Sequence, residues 1–169
     1  MKCMITLSAA ALLLAACATT APDGPSATAT IRPASGSQVH GSVKFIQVGS
    51  RVRVEGEIAA LTPGTHGFHI HEKGDCSAAD AESAGGHFNP QGKKHGPPHS
   101  SDRHAGDLGN VQANEYGRAN VSFTIDGLAV DKGTNGVIGR AVIVHANADD
   151  LRTDPTGNAG GRVGCGVIE

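Results

Sequence analysis

Gly67-Phe68-His69-Ile70-His71-Glu72-Lys73-Gly74-Asp75-Cys76 is the stretch whose reading decides the fold. Two histidines one residue apart on a strand put both imidazoles on one face of a sheet, with Cα atoms about 7 Å apart, so a single metal ion can take both. On a helix the same spacing turns the rings about 200° apart, beyond the reach of one ion. The spacing therefore predicts a strand. Seven of the nine histidines fall between His66 and His104, so this strand is expected to be one wall of a larger site.

A chain of 169 residues suits one domain with a core of its own. With 24 glycines, no tryptophan and 3% aromatic residues, it reads as turn-rich, with a core of Val, Ile, Leu and Ala, which argues against coiled coil and transmembrane bundle. The formal charge is -2, with no basic stripe and no set of stacking aromatics, which argues against nucleic-acid binding.

The amino terminus reads as a targeting segment. Lys2 is a minimal positive region, residues 5–14 are a short apolar run, and Leu14-Ala15-Ala16-Cys17 closes it, which resembles a bacterial lipoprotein signal. The apolar run is too short to cross a bilayer as a helix. Residues 1–16 are then a signal peptide, Cys17 carries lipid, residues 17–27 form a flexible tether and residues 28–169 form the folded domain. An ordinary cleaved signal with an incidental cysteine is the alternative. The lipoprotein reading places the domain in a bacterial cell envelope, membrane-anchored through Cys17 and facing the periplasm or the exterior. Cys3 leaves with the signal and Cys17 is modified, so Cys76 and Cys165 are free to bond in an oxidising compartment; two separate buried thiols are the alternative.

Residues 28–32, 39–48 and 51–58 alternate apolar with polar residues, as antiparallel strands with one wet face do. Gly49-Ser50 reads as a two-residue hairpin turn, and Pro63-Gly64 as the turn before the histidine strand. Residues 74–110 are rich in Gly, Pro, His, Ser, Asp and Lys. A loop that long needs an organiser, and the histidines point to metal. Strand pattern returns at 117–125, 137–145 and 162–168, with a second irregular loop at 146–161. No helix of ordinary length is predicted. The expected fold is all-β: an antiparallel Greek-key sandwich or barrel of about eight strands with two long metal-site loops.

Surface His-x-His pairs also arise from polar alternation alone, but this pair has company. His87 lies in Gly85-Gly86-His87-Phe88-Asn89-Pro90, and His95, His104 and Asp107 follow; a carboxylate near imidazoles is a common ligand set for zinc. His145 closes the last strongly apolar strand.

Residues 67–75, 86–90 and 103–110, His145 with Asp149-Asp150, and 157–162 with 165–168 together resemble the copper,zinc superoxide dismutases. The likeness runs in order from about Thr28 to the end. It implies copper ligands at His69, His71, His87 and His145, and zinc ligands at His87, His95, His104 and Asp107, with His87 bridging both. It also implies dismutation of superoxide to dioxygen and hydrogen peroxide by a copper redox cycle, in which His87 releases copper and takes up a proton. Arg162, in a Gly-Asn-Ala-Gly-x-Arg context, would guide the anionic substrate; its alternative is a surface pair with Asp149, Asp150 or Asp154. Asp149 matches a carboxylate that accepts hydrogen bonds from one copper and one zinc histidine. His66 matches a structural histidine. His40, His99, Lys73, Lys93 and Lys94 read as solvated.

Three departures are informative. The loop at 146–161 is shorter than in animal cytosolic members and lacks their charged steering segment. Lys73 replaces an apolar residue those members bury at their dimer contact, so any homodimer here is expected to use another surface. The segment from Cys76 to Gly86 is longer, as in the bacterial envelope branch. A non-catalytic copper carrier of the same fold usually lacks a copper ligand or the arginine, and a copper-only dismutase lacks the zinc set; this chain has all of them. If the amino-terminal reading holds, Cys17→Ser leaves an unlipidated precursor in a metabolic lipid-labelling experiment, and normal labelling of that variant refutes it.

Overall fold

Alternation with a period of two builds the first half of the sheet. β1 (Ser26–Pro33) buries Ala27, Ala29 and Ile31, and β3 (Arg51–Ala59) buries Val52, Val54 and Ile58, their neighbours facing solvent. β2 (His40–Val48) pairs with β3 from His40↔Ala59 to Val48↔Arg51, leaving Gly49-Ser50 as the expected two-residue turn. Gly49 has φ +58°, a conformation that this turn requires and glycine adopts without strain. The computed structural model describes residues 24–169; the expected signal segment, Cys17 and the tether as far as residue 23 lie outside the described residues. β1 starts at Ser26, two residues ahead of the expected start of the folded domain.

The remaining strands are β4 (Gly64–His71), β5 (Asp107–Ala113), β6 (Ala119–Ile125), β7 (Ala141–His145) and β8 (Arg162–Val167). All pairings are antiparallel, and the eight strands run in the order β5-β4-β7-β8-β1-β2-β3-β6. β1 turns the corner: it pairs with β2 over Ser26 to Ile31 and with β8 at Arg32 and Pro33. The two end strands, β5 and β6, lie side by side without a ladder between them, so the barrel is nearly closed. Its interior holds Ile31, Phe45, Ile58, Phe68 and Ile70, all fully buried. Among the described residues the one helical element is a single 3₁₀ turn, Glu82–Ala84.

β5 corrects the expected loop, which was to run to residue 110. Gly109 has φ +83° and interrupts the alternation, and Asp107 is wholly buried, so the segment reads as polar loop although it forms a ladder with β4. β7 likewise starts at Ala141, later than the expected 137, because Val137 donates its N–H to Ala129 O at 3.0 Å, next to the bridge between Ala129 and Gly136, and not to a strand of the barrel.

β4 is buried on both sides, and this places the site. Phe68 and Ile70 point into the barrel core. His69 and His71, on the opposite face, are 0% and 1% exposed although their face lies outside the barrel. The stretches 72–106 and 146–161 cover them. The first is stitched down by Phe88 N–H to Ile70 O at 2.8 Å and Gly106 N–H to Phe88 O at 2.8 Å. Arg103, 6% exposed, holds it further by donating to the carbonyls of His104, Ala105 and Asp126.

A disulfide joins Cys76 to Cys165, with Cα atoms 5.8 Å apart, and so ties the covering loop to β8. The sequence separation of 89 residues implies, in the chain-entropy model, a stabilisation of about 4–5 kcal/mol. Replacing both cysteines with serine is expected to lower the unfolding free energy by that amount in denaturant titration. A loss below about 1 kcal/mol would remove the disulfide from the main supports of the fold.

Candidate metal centre

Four elements deliver the candidate ligand groups. β4 supplies His69 and His71, β7 ends on His145, the covering loop carries His87, His95 and His104, and β5 begins at Asp107. The structure brings all seven together. They fall into two sets, His69-His71-His87-His145 and His87-His95-His104-Asp107, in each of which one nitrogen or oxygen per residue lies within 4.8 Å of the others. All seven residues are buried, and His87 belongs to both sets.

The tautomers follow from the outer partners. His71 Nδ1 donates to Gly85 O at 2.8 Å and His145 Nδ1 to Gly160 O at 3.1 Å; a carbonyl cannot donate, so these nitrogens carry the hydrogen and each Nε2 keeps its lone pair. His69 Nε2 donates to Asp149 Oδ2 at 2.8 Å, which frees Nδ1. The nitrogens thereby left bare, His69 Nδ1, His71 Nε2 and His145 Nε2, are buried without any hydrogen-bond partner, as is His87 Nε2. Four convergent bare imidazole nitrogens in a dry site form a ligand set for a metal ion; in its absence each is a buried polar atom at a cost of about 1–3 kcal/mol.

The second set converges on Asp107 Oδ1, with His87 Nδ1 at 2.8 Å, His95 Nδ1 at 3.0 Å and His104 Nδ1 at 3.2 Å. Tetrahedral zinc, bound at about 2.0–2.1 Å, has ligand-to-ligand edges of about 3.3 Å, so these spacings fit. The His95 contact lacks hydrogen-bond alignment, leaving Nδ1 unpartnered. Asp107 is fixed through its other oxygen, which accepts the N–H of Gly96 and of His104 at 3.1 and 2.9 Å. Both ligand sets therefore suit the copper and zinc implied by the sequence.

Asp149 spans the sets. Its Oδ2 takes His69 Nε2 and its Oδ1 takes His95 Nε2 at 2.9 Å, one histidine from each. Two features that sequence reading missed hold it there. Asn110 exchanges two bonds with its backbone, Nδ2 to Asp149 O at 3.0 Å and Asp149 N to Oδ1 at 2.8 Å. Gly157, at φ +62°, leaves the space that the carboxylate occupies, since a Cβ there would collide with Asp149 Oδ1 and His95 Nε2.

Arg162 is half-buried beside the four-histidine set. Its Nη1 donates to Ala81 O at 2.7 Å and its Nη2 to Gly85 O at 2.8 Å, the same carbonyl that orients His71. Its ionic partner is Glu82, at 3.1 Å, and not one of the aspartates named as alternatives. Glu82 lies five residues before His87, and no local pattern in the chain marks it. His66 is structural, as expected: Nδ1 donates to His145 O at 2.8 Å and Nε2 lies 2.8 Å from Thr62 O. His40, His99, Lys73, Lys93 and Lys94 are exposed.

In the metal-free protein the site's charges follow from burial. Burial, then the neighbouring His87, lowers His71 to about 2; burial, then His69, lowers His145 to about 3; burial, against the bond to Asp107, lowers His87 to about 4. For His95 burial opposes the charge, but the carboxylates of Asp107 and Asp149, one against each ring nitrogen, outweigh it and raise the group to about 10. Asp107 and Asp149 stay well below the usual carboxylate range, burial being overcome by hydrogen bonds from the histidines. An unfolded histidine titrates near 6.5. Below that pH the unfolded chain takes up protons that His71, His87 and His145 refuse when folded, so stability falls as pH drops; above it, the unfolded chain has lost the proton that His95 still holds, so stability falls as pH rises towards 10. The thermal midpoint of chelator-treated protein is therefore expected to peak near pH 6.5. A midpoint that climbs steadily from pH 7 down to pH 4 would contradict this reading.

Residues 39–168 match the family described as copper/zinc superoxide dismutase (SODC). Among solved structures, one titled "Crystal Structure Analysis of the clock protein EA4" is similar, with 45% sequence identity and a TM-score of 0.77 over 85% of this chain and 92% of that chain. The match extends from just before β2 almost to the last residue and takes in both ligand sets, and the chain belongs to the copper/zinc superoxide dismutase family.

Proposed function

We propose that the protein dismutates superoxide, converting two superoxide anions and two protons to one dioxygen and one hydrogen peroxide. Copper would be held by His69, His71, His87 and His145, and zinc by His87, His95, His104 and Asp107. The observation that carries this reading is the pair of buried ligand sets sharing one imidazole, in a chain of this family. Copper, when bound, supplies a one-electron couple that an all-imidazole set accommodates in both oxidation states, and zinc supplies fixed charge without redox chemistry.

The chain's own groups do the rest. His87 Nε2 is the nitrogen free to hold a proton while Nδ1 stays engaged on the Asp107 side, so it can deliver one of the two protons, solvent delivering the other. Arg162 attracts and orients the anion. Its two bonds to carbonyls fix the guanidinium plane, so little side-chain entropy is lost when substrate arrives. Asp149 keeps His69 and His95 in the tautomers that expose Nδ1. The loops at 72–106 and 146–161 exclude water from the ligand atoms. The amino-terminal motif supports an envelope protein of the bacterial branch, anchored through lipid on Cys17, and a disulfide suits that oxidising setting.

Metal analysis of protein loaded with both ions is expected to give one copper and one zinc per chain, with dismutase activity that chelation abolishes and reloading restores. Zinc binding without copper, together with no dismutation after copper loading, would overturn the proposal. Arg162→Ala is expected to slow turnover roughly tenfold or more at low salt with copper retained. An unchanged rate at low salt would take Arg162 out of the mechanism.

A further inference from the structure

His104 meets the second ligand set through Nδ1, which lies 3.2 Å from Asp107 Oδ1 and 3.4 Å from His87 Nδ1. Its other nitrogen, Nε2, points the opposite way, to Asp154 Oδ1 at 3.6 Å. That separation is of an ion pair rather than a formed hydrogen bond. The same Asp154 oxygen accepts the backbone N–H of His95 at 2.8 Å. One carboxylate oxygen on the stretch 146–161 thus reaches two members of the set from outside, one through its ring and the other through its backbone.

We infer that Asp154 is a positioning residue of the zinc site; this rests on the zinc reading above. An imidazole that offers the Nδ1 lone pair to a metal must carry its hydrogen on Nε2, and a carboxylate facing that N–H favours the required tautomer, fixes the ring and makes Nδ1 more basic. The other ligand histidines outside the bridge already have such partners: Asp149 for His69 and His95, Gly85 O for His71, Gly160 O for His145. Asp154 supplies the missing one for His104. The neighbouring Asp150 does not compete for this task, because its carboxylate is taken up by Thr153 and Asn158 of its own loop. Through His95 N–H, Asp154 also pins the covering loop to the stretch that carries Asp149 and Gly157, so the two loops are held against each other at the site.

Asp154→Asn separates the two roles: the amide oxygen still accepts from His95 N–H, but the charge facing His104 is gone. Zinc affinity, measured by competition with a chromophoric chelator, is expected to weaken about tenfold, the low end of the 10- to 100-fold range for losing such a partner, because the Asp154 side chain is 53% exposed. Copper affinity of the four-histidine set is expected to stay within about twofold, and cobalt(II) in the zinc position is expected to show altered visible bands in the variant. Asp154→Glu, with the carboxylate restored, should recover part of the affinity. Unchanged zinc affinity with an unchanged cobalt spectrum overturns the inference and leaves the zinc reading intact. An equal loss of copper and zinc affinity overturns it as well, since a positioning role at His104 is specific to one set. Failure of the unsubstituted protein to bind zinc overturns the underlying reading instead.

Discussion

One imidazole has to face two ligand sets at once, and the rest of the structure follows from that. His87 turns Nε2 towards His69, His71 and His145 and Nδ1 towards His95, His104 and Asp107, so neither ring rotation nor backbone shift is free. The ring is held from its backbone: an isolated bridge pairs His87 with His71, and Phe88 is bonded to β4 and Gly106 on either side. Arg140 lies over the Phe88 ring, 3.4 Å from its centroid, and is itself held by donating to Gly136 O and Glu72 O. A loop without regular structure is therefore as fixed as a strand at the one residue where it must be.

The same arrangement makes the centre costly without metal. Burial of seven polar ligand groups is compensated on the outward nitrogens, by Asp149 and by the carbonyls of Gly85 and Gly160, and left uncompensated on the inward ones. The inward side is where a metal ion would sit. Metal affinity and loop order are thus expected to be coupled: the groups that orient ligands are themselves on the covering loops, so binding ions and closing those loops are a single event. The disulfide and Arg162 belong to this unit too, because Arg162 shares the Gly85 carbonyl with His71 and the disulfide anchors the loop on which Gly85 lies.

Much of this was legible in the chain because strand periodicity and metal chemistry are both local signals. His69 and His71 require one face of a strand, and the resemblance to the copper,zinc superoxide dismutases implied which seven residues make up the two sets that the structure brings together. The residues that escaped notice are those whose meaning is created by folding. β5 was hidden by Gly109 and by a buried Asp107 that reads as a loop residue. Glu82 pairs with Arg162 across 80 positions of sequence, Asn110 clamps the backbone of Asp149, and Gly157 matters because of a carboxylate that passes where its Cβ would be. Asn110 and Gly157 lie within stretches that carry the family resemblance, but the contacts they make leave no periodicity in the chain, and Glu82 lies outside those stretches.

The central claim, that a single histidine joins both metal positions, is tested most directly by electron paramagnetic resonance of protein carrying copper(II) in the four-histidine set and cobalt(II) in the zinc position. Two unpaired-electron centres linked through one imidazole exchange-couple, so the copper signal is predicted to vanish when cobalt is bound beside it and to persist when the second position holds diamagnetic zinc. A copper signal of full intensity, with both metals confirmed in the sample, would contradict a shared His87.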